Sequence, residues 1–337
     1  MKLSIVTTLY YSAPYVDEFY RRAREQAANF TSEFEIIFVN DGSPDDSLDR
    51  AVALHLTDER VRVVDLARNF GHHKAMMTGL EYSHGELIFL IDSDLEEAPE
   101  LLATFSEIMQ ARQSDVVFGV QMKRKGGIAE RVSGGLYFWL WNLLSPEPIV
   151  PNLCTVRLMS RRYVNALLLH REREINIAGL WAITGFQQIA QPIQKLSKGT
   201  SAYDLTRKFG MLVNAITSFS NKPLILIFYL GTAISLLALV GALFLVIQRF
   251  FFNVLLDGWP SLIVSIWLLG GLTIFCLGII GIYLSKIFIE AKQRPYTIVR
   301  QFYEWSSSSH DKFSYPTERA SVLHGENSGT WRDGARG

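Results

Sequence analysis

The chain has 337 residues, with 33 Lys plus Arg set against 33 Asp plus Glu, and a mean hydropathy of +0.15. A zero formal net charge excludes a polyanion-binding surface spread over the whole chain, so no nucleic-acid partner is expected. The two cysteines, Cys154 and Cys276, are too few for a disulfide framework and point to a reducing compartment, while the high hydropathy points to segments outside water.

In chain order, Leu3–Leu9 is apolar but too short for a signal peptide, and Asp17 and Glu18 follow it, so no signal peptide is expected. It reads as a first strand, followed by strands at Glu35–Asn40, Val61–Leu66, Leu87–Asp92 and Asp115–Val120, all rich in Val, Ile, Leu and Phe as in strands buried on both faces. Helical spacing lies between them. Val16, Phe19, Tyr20, Ala23, Ala27 and Phe30 mark one helix. Ser43-Pro44 reads as the start of another, with Ser43 as N-cap, and Pro99 opens a third with Leu101, Leu102, Phe105, Ile108 and Met109 inward. The fold class is α/β, with a doubly wound, mostly parallel sheet whose ligands belong at the carboxyl ends of its strands. Residues 121–222 are less regular. Leu136–Leu144 reads equally as a core helix or an interfacial one, and Arg207–Ser220 is amphipathic.

Leu224–Ile247 and Trp259–Ser285 then run for about 24 and 27 residues without a charge, where a span needs about 20. Lys222 lies before them and Lys286, Lys292 and Arg294 after them, with Arg249 and Asp257 in the short connection. That bias predicts two transmembrane helices with both termini cytoplasmic. From Ser306 the tail is Ser-, Gly- and charge-rich and is expected to be disordered.

The polar motifs fall at expected strand ends. Asp92 and Asp94 stand one residue apart after an apolar strand, with Glu96 and Glu97 following. Strand alternation turns the two aspartates to one side, where they can share a hard divalent cation, but a solvated acidic loop fits as well on this motif alone. Asp41 lies in Asn40-Asp41-Gly42-Ser43, where Gly42 permits a tight turn. Arg68-Asn69-Phe70-Gly71 follows the third strand, and the small Ala75 and Gly79 beyond it would let a flat nucleoside approach the backbone. His72, His73 and His84 read as surface or helix-start residues rather than metal ligands.

These motifs together resemble family 2 glycosyltransferases of the GT-A fold, and within them the polyprenyl-phosphate glycosyltransferases such as dolichyl-phosphate mannose synthase, bactoprenol glucosyltransferase and undecaprenyl-phosphate aminoarabinose transferase. Besides Asn40–Ser43, the similar segments are Asn69, Gly71, Ala75 and Gly79; Asp92-Ser93-Asp94-Leu95-Glu96-Glu97-Ala98-Pro99-Glu100; Arg157-Leu158-Met159-Ser160-Arg161; Gly179, Leu180, Gly185 and Phe186; Gly199, Ser201 and Tyr203; and Ser218–Leu224. Seven segments in family order, over about residues 3–295, make the likeness specific.

The resemblance implies a cytoplasmic GT-A domain over 1–203, an amphipathic segment over 204–222, two transmembrane helices within 223–286 and a cytoplasmic tail over 287–337. It implies a multi-pass protein of the inner (plasma) membrane that transfers a sugar, with inversion, from a nucleotide-sugar to a polyprenyl phosphate for cell-envelope glycan or lipopolysaccharide modification. The implied donor site is Thr8, Tyr10, Asp41, Ser43, Asn69, Gly71 and Asp92. Asp92, Asp94 and Glu96 would hold Mg2+ or Mn2+, Asp94 and Arg157 would be catalytic, and Arg157, Arg124 and Arg131 would meet the acceptor phosphate. A homo-oligomer is compatible with the sequence.

Departures from the family pattern are Thr8-Leu9-Tyr10-Tyr11-Ser12 in place of a Pro and an Asn-Glu pair, Thr155 in place of an Asp proposed as base, and Ala178 and Ala202 in place of an Arg and a Lys. Thr155 is compatible with activity, because a phosphate monoester has its second pKa near ~6 and reaches the site ionised. A processive polysaccharide synthase is the alternative enzyme. Gln187 and Gln188 lack the Arg-Trp such enzymes carry after Gln. A catalytically silent membrane scaffold is the alternative outside enzymes.

Overall fold

The computed structural model describes residues 1–121, 150, 152–173, 175–195, 222–252 and 258–305. The expected elements at Leu136–Leu144 and Arg207–Ser220 lie outside the described residues.

Eight strands form one sheet in the order β7-β5-β6-β4-β1-β2-β3-β8. These are β1 (Leu3–Leu9), β2 (Phe34–Asn40), β3 (Val61–Leu66), β4 (Leu87–Leu90), β5 (Val116–Gln121), β6 (Leu153–Ser160), β7 (Gln188–Ile193) and β8 (Val299–Tyr303). The first five lie where the apolar runs place them, since strands buried on both faces carry little else than Val, Ile, Leu and Phe. The sheet is more mixed than the sequence suggests. β4-β1-β2-β3 is parallel, but β6 runs antiparallel between β4 and β5, and β8 is antiparallel on the edge of β3.

Helices α1 (Val16–Phe30), α2 (Ser47–Thr57) and α4 (Leu101–Arg112) cover one face, and α3 (His72–Glu81), α5 (Arg161–Leu167) and α6 (Ile177–Ile183) cover the other. On α1, Val16, Phe19, Ala23 and Ala27 are buried at helical spacing, and Phe19 meets Phe38 of β2 edge-to-face at 6.0 Å. Burying a side chain of that size stabilises the fold by roughly 2–3 kcal/mol. The helix stops at Thr31, whose extended backbone returns its N–H to the Ala27 carbonyl.

Two expectations are corrected on these elements. α2 begins at Ser47, four residues beyond the expected Ser43 cap. The Asp45 carboxylate takes the start of the helix by accepting the Ser47 N–H at 3.2 Å, which leaves Ser43 to other bonds. Ala75 and Gly79 do not open a path to the backbone. Both are buried, and a Cβ on Gly79 would stand 2.5 Å from Val6 and 2.8 Å from Val39, so the missing side chain lets α3 lie close on the sheet.

After the sheet come two long apolar helices, α7 (Lys222–Phe252) and α8 (Trp259–Ala291). Among the described residues one stretch, Ser265–Ala291, is long and apolar enough to cross a membrane, with a mean hydropathy of 2.2 and none of it buried; Lys222–Ala238 is a shorter apolar stretch. The chain then turns back and adds β8 to the sheet. Ala67 donates to the Ile298 carbonyl at 2.9 Å, Tyr296 Oη donates to Glu81, and the Thr78 and Thr297 hydroxyls meet at 2.9 Å. The expected tail is therefore part of the folded domain up to at least Trp305, whose indole N–H donates to the His55 carbonyl.

Candidate active site

The parallel register brings the carboxyl ends of β1, β2, β3 and β4 to one rim, with Leu9 opposite Asn40 and Asn40 opposite Asp65. The antiparallel β6 meets that rim with its amino end. Leu90 pairs with Arg157, which places Thr155 alongside Asp92 just past the end of β4.

Asp41 follows β2 and is 2% exposed. Its two carboxylate oxygens accept the backbone N–H groups of Phe70 at 2.7 Å and Gly71 at 3.0 Å. Burial raises its pKa and outweighs those two bonds. The residue thereby fixes the loop between β3 and α3. Gly42 beside it has φ +60°, and a Cβ there would stand 2.5 Å from the backbone of both Arg68 and Asn69, so the two loops touch only because the position is glycine. Ser43 receives the Tyr11 N–H at 2.8 Å and donates to Asp45, tying the loop after β1 to the loop after β2. Tyr10 and Tyr11 stand exposed above this tie, edge-to-face at 4.8 Å. Asn69 is exposed, and Gly71, at φ +103°, precedes the first turn of α3.

His72 crosses the middle of the rim. Its Nδ1 lies 3.0 Å from Thr8 Oγ1 and its Nε2 lies 3.2 Å from Asp92 Oδ1. Burial alone would depress the imidazole, but Asp92, by hydrogen bond and charge, raises it above its ordinary value. In turn the Asp92 carboxyl is held below its ordinary value, since His72 and then Thr155 more than offset the cost of burial. Even so, Asp92 Oδ1 is a buried oxygen without an aligned hydrogen-bond donor.

Asp94 is crowded. Burial, then the charges of Asp92 and Glu96, push its carboxyl upward, although it accepts the Glu96 N–H at 3.0 Å. The turn between them puts Leu95 at φ +60°, a left-handed conformation that costs a branched residue about 1–3 kcal/mol. Packing of the Leu95 side chain against the core on the face covered by α1, α2 and α4 holds the turn in place. Glu97 is fully buried and accepts backbone N–H groups from Thr155 at 3.3 Å and Val156 at 2.8 Å. Lys195, just past β7, reaches Glu96 at 3.2 Å and Glu97 at 3.4 Å. Burial works against its charge, but Glu97 and Glu96 prevail and raise the ammonium's pKa.

The expected metal set of Asp92, Asp94 and Glu96 is divided in the structure. Among the described residues no group of three His, Cys, Asp or Glu side chains that could hold a metal ion is found, and Glu96 turns to Lys195. Asp92 and Asp94 remain. Their donor set fits a divalent cation, with one buried carboxylate oxygen lacking an aligned donor and a second carboxylate crowded by like charge. Mg2+ is commonly held by one or two carboxylates together with substrate phosphates and water. A separate cavity of about 750 Å³ lies at the opposite, amino-terminal rim among Tyr20, Arg24, Glu33, Asp58 and Arg60, and holds none of these carboxylates.

The glycosyl transferase family 2 model matches residues 4–168, which include both acidic motifs. A protein of Mycobacterium tuberculosis (strain CDC 1551 / Oshkosh) classed among the glycosyltransferases is 55% identical over 90% of this chain and 89% of its own. The uncharacterised glycosyltransferase YkcC of Bacillus subtilis (strain 168) is 32% identical over 90% and 94%. The bactoprenol glucosyl transferase of Shigella phage SfV is 30% identical over 89% of this chain and 98% of its own. The chain belongs to glycosyltransferase family 2.

In this family 2 glycosyltransferase the GT-A sheet brings Thr8, Asp41, Ser43, Gly71, Asp92 and Asp94 to one rim, with Tyr10 and Asn69 exposed beside them. Arg157 is the exception. It has no exposure, and its guanidinium carbon lies 2.9 Å from the centre of the Trp181 ring, with Nε donating to the Thr155 carbonyl at 3.3 Å. Burial lowers its pKa to about 9. Trp181, carried by α6, covers the side chain. Arg124 and Arg131 lie outside the described residues, as do Gly199, Ser201, Tyr203 and Ser218. Sequence reasoning missed two members of the site. His72 begins a helix as expected, yet its ring joins Thr8 to Asp92, and the signal available was a histidine directly after the glycine of Asn69–Gly71. Lys195 had no local signal, since it follows a strand that the sequence did not announce.

Proposed function

We propose that this glycosyltransferase moves a sugar from a nucleotide-sugar to the phosphate of a polyprenyl phosphate at the cytoplasmic membrane face, with inversion. The observation that carries the reading is the path of the chain after α8. An apolar helix long enough to cross a bilayer is followed by β8 on the edge of the sheet, which supports a rim with Asp92 and Asp94 that works beside a membrane and on acceptors within it. The bactoprenol glucosyl transferase relative supports a polyprenyl phosphate as that acceptor. α7 and α8 are both spans in this reading, joined outside, with the cations at Lys222, Lys286, Lys292 and Arg294 on the cytoplasmic side.

In this account Asp41 and Ser43 keep the donor loops in place, and Thr8, Tyr10, Asn69, Gly71 and Asp92 frame the nucleotide-sugar. Asp92 and Asp94 would hold Mg2+ or Mn2+, which when bound offsets the charge that builds on the departing diphosphate. An oxygen of the acceptor phosphate forms the new bond to the anomeric carbon as the bond to the nucleoside diphosphate breaks, its electron pair leaving with the diphosphate. One displacement inverts the configuration. The acceptor arrives ionised, so no protein base is required, and Thr155 is free to face Asp92. Arg124 and Arg131 are the proposed cationic partners of the acceptor phosphate.

The test is an acceptor swap with the purified protein in detergent. A panel of nucleotide-sugars is offered with undecaprenyl phosphate or undecaprenol, with and without Mn2+. Metal-stimulated labelling of the lipid with the phosphate alone is the expected result. Equal labelling of the alcohol would overturn the reading.

A further inference from the structure

The geometry points to Lys195 as an internal counter-ion that takes Glu96 and Glu97 out of the metal's ligand set, so that the divalent cation binds weakly to the protein alone and firmly only together with the donor's diphosphate. This rests on the proposed nucleotide-sugar reading and concerns how its metal is held.

Four carboxylates, Asp92, Asp94, Glu96 and Glu97, lie within six residues of sequence. Left to themselves they would form a strong cation trap. The structure divides them instead. Asp92 faces His72 and Thr155 on one side, while Glu96 and Glu97 share Lys195 on the other, at 3.2 and 3.4 Å. Glu97 is pinned further by two backbone N–H groups. Lys195 is 26% exposed and Glu96 24%, so the pair is sheltered enough to resist exchange with solvent ions. Glu96 adds a negative charge to this cluster, and Lys195 cancels it. With Glu96 engaged, the protein offers two carboxylates, too few for high affinity, and diphosphate oxygens must complete the shell.

The experiment is Mn2+ binding to the full-length protein in detergent, followed by electron paramagnetic resonance of free Mn2+, with metal alone and with UDP added as a nucleoside diphosphate probe. Wild type is expected to bind Mn2+ at least tenfold more tightly with UDP than without. Lys195→Met is expected to tighten binding of Mn2+ alone by tenfold or more, and Lys195→Met/Glu96→Ala to lose that gain. Glu96→Ala alone is expected to leave the affinity for Mn2+ unchanged, a result that does not depend on the lysine variant folding. Two outcomes would overturn the inference. One is a tenfold weakening in Glu96→Ala, which would make Glu96 a ligand. The other is tightening that persists in the double variant, which would reduce Lys195 to a like charge near the metal. If UDP fails to promote Mn2+ binding in wild type while Lys195→Met still tightens it through Glu96, the division of the carboxylates stands and it is the nucleotide-sugar reading that fails.

Discussion

A guanidinium with no exposure, resting on the face of Trp181, supports the fold whatever else it does. Removing the Arg157 side chain opens a cavity between β6 and α6 and strips Trp181 of its partner, so Arg157→Ala should lose roughly 2–4 kcal/mol. A buried charge exchanged for an apolar chain of similar volume is often neutral for stability. Arg157→Met is therefore expected to melt near wild type and to keep transfer within several-fold, and thermal melting in detergent beside initial rates measures both. A well-folded but inactive Met variant would return the guanidinium to the acceptor phosphate. Asp94 is the opposite kind of residue, a crowded carboxylate at the rim whose removal opens no core. Asp94→Ala should abolish transfer at unchanged melting temperature, whereas Thr155→Ala should keep most of it across pH, because no proton passes through position 155. Near-wild-type turnover in Asp94→Ala, or a Thr155→Ala defect relieved by raising pH, would refute these assignments. The acidic rim was legible because a strand's alternation and two motifs put Asp41, Asp92 and Asp94 there. The burial of Arg157 was not, since an Arg within an apolar strand looks the same in sequence whether it faces a ligand or an indole.

The elements set the site by register, and register is also where the sequence ran out. β1 to β5 are recognisable one at a time from their apolar runs. β6 becomes a neighbour of β4 only through antiparallel pairing, and β8 is a short, partly polar strand whose stability comes from the exposed edge of β3. Such contacts are set by tertiary pairing rather than local pattern. Ending the chain after Gln293 should leave the β3 edge unpaired and lower the melting temperature by several degrees, with aggregation, while ending it after Trp305 should preserve both. Equal melting of the two forms would show that β8 adds nothing. At the other rim, Asp58 joins α1 to the start of β3 through Tyr20 and Arg60. Burial opposes its charge, but these bonds together lower its pKa from 3.8 to about 2. A carboxyl held below its ordinary value stabilises the fold in full above about pH 4, and that contribution disappears as pH falls through about 2. After allowance for solvent screening it should amount to about 1 kcal/mol. The stability gap between wild type and Asp58→Asn should accordingly narrow between pH 5 and pH 2, and a gap independent of pH would contradict the assignment.

For the whole molecule, the sheet carries the acidic rim, two long apolar helices follow it in sequence, and β8 then joins the edge of β3. The α/β class and the position of the site were legible, because βαβ alternation and the acidic motifs determine both. That the segment after the two long apolar helices joins the sheet was hidden, because nothing in Val299–Tyr303 by itself names β3 as its partner. In the proposed function, a site held against the membrane meets a phosphate at the head of a lipid. Mass spectrometry and NMR of the lipid product formed from undecaprenyl phosphate and the accepted nucleotide-sugar test that claim most directly. The account predicts a lipid bearing one sugar on one phosphate, with the anomeric configuration opposite to the donor's. A product with two phosphates, a retained configuration, or a polymer with no lipid-linked monosaccharide would contradict it.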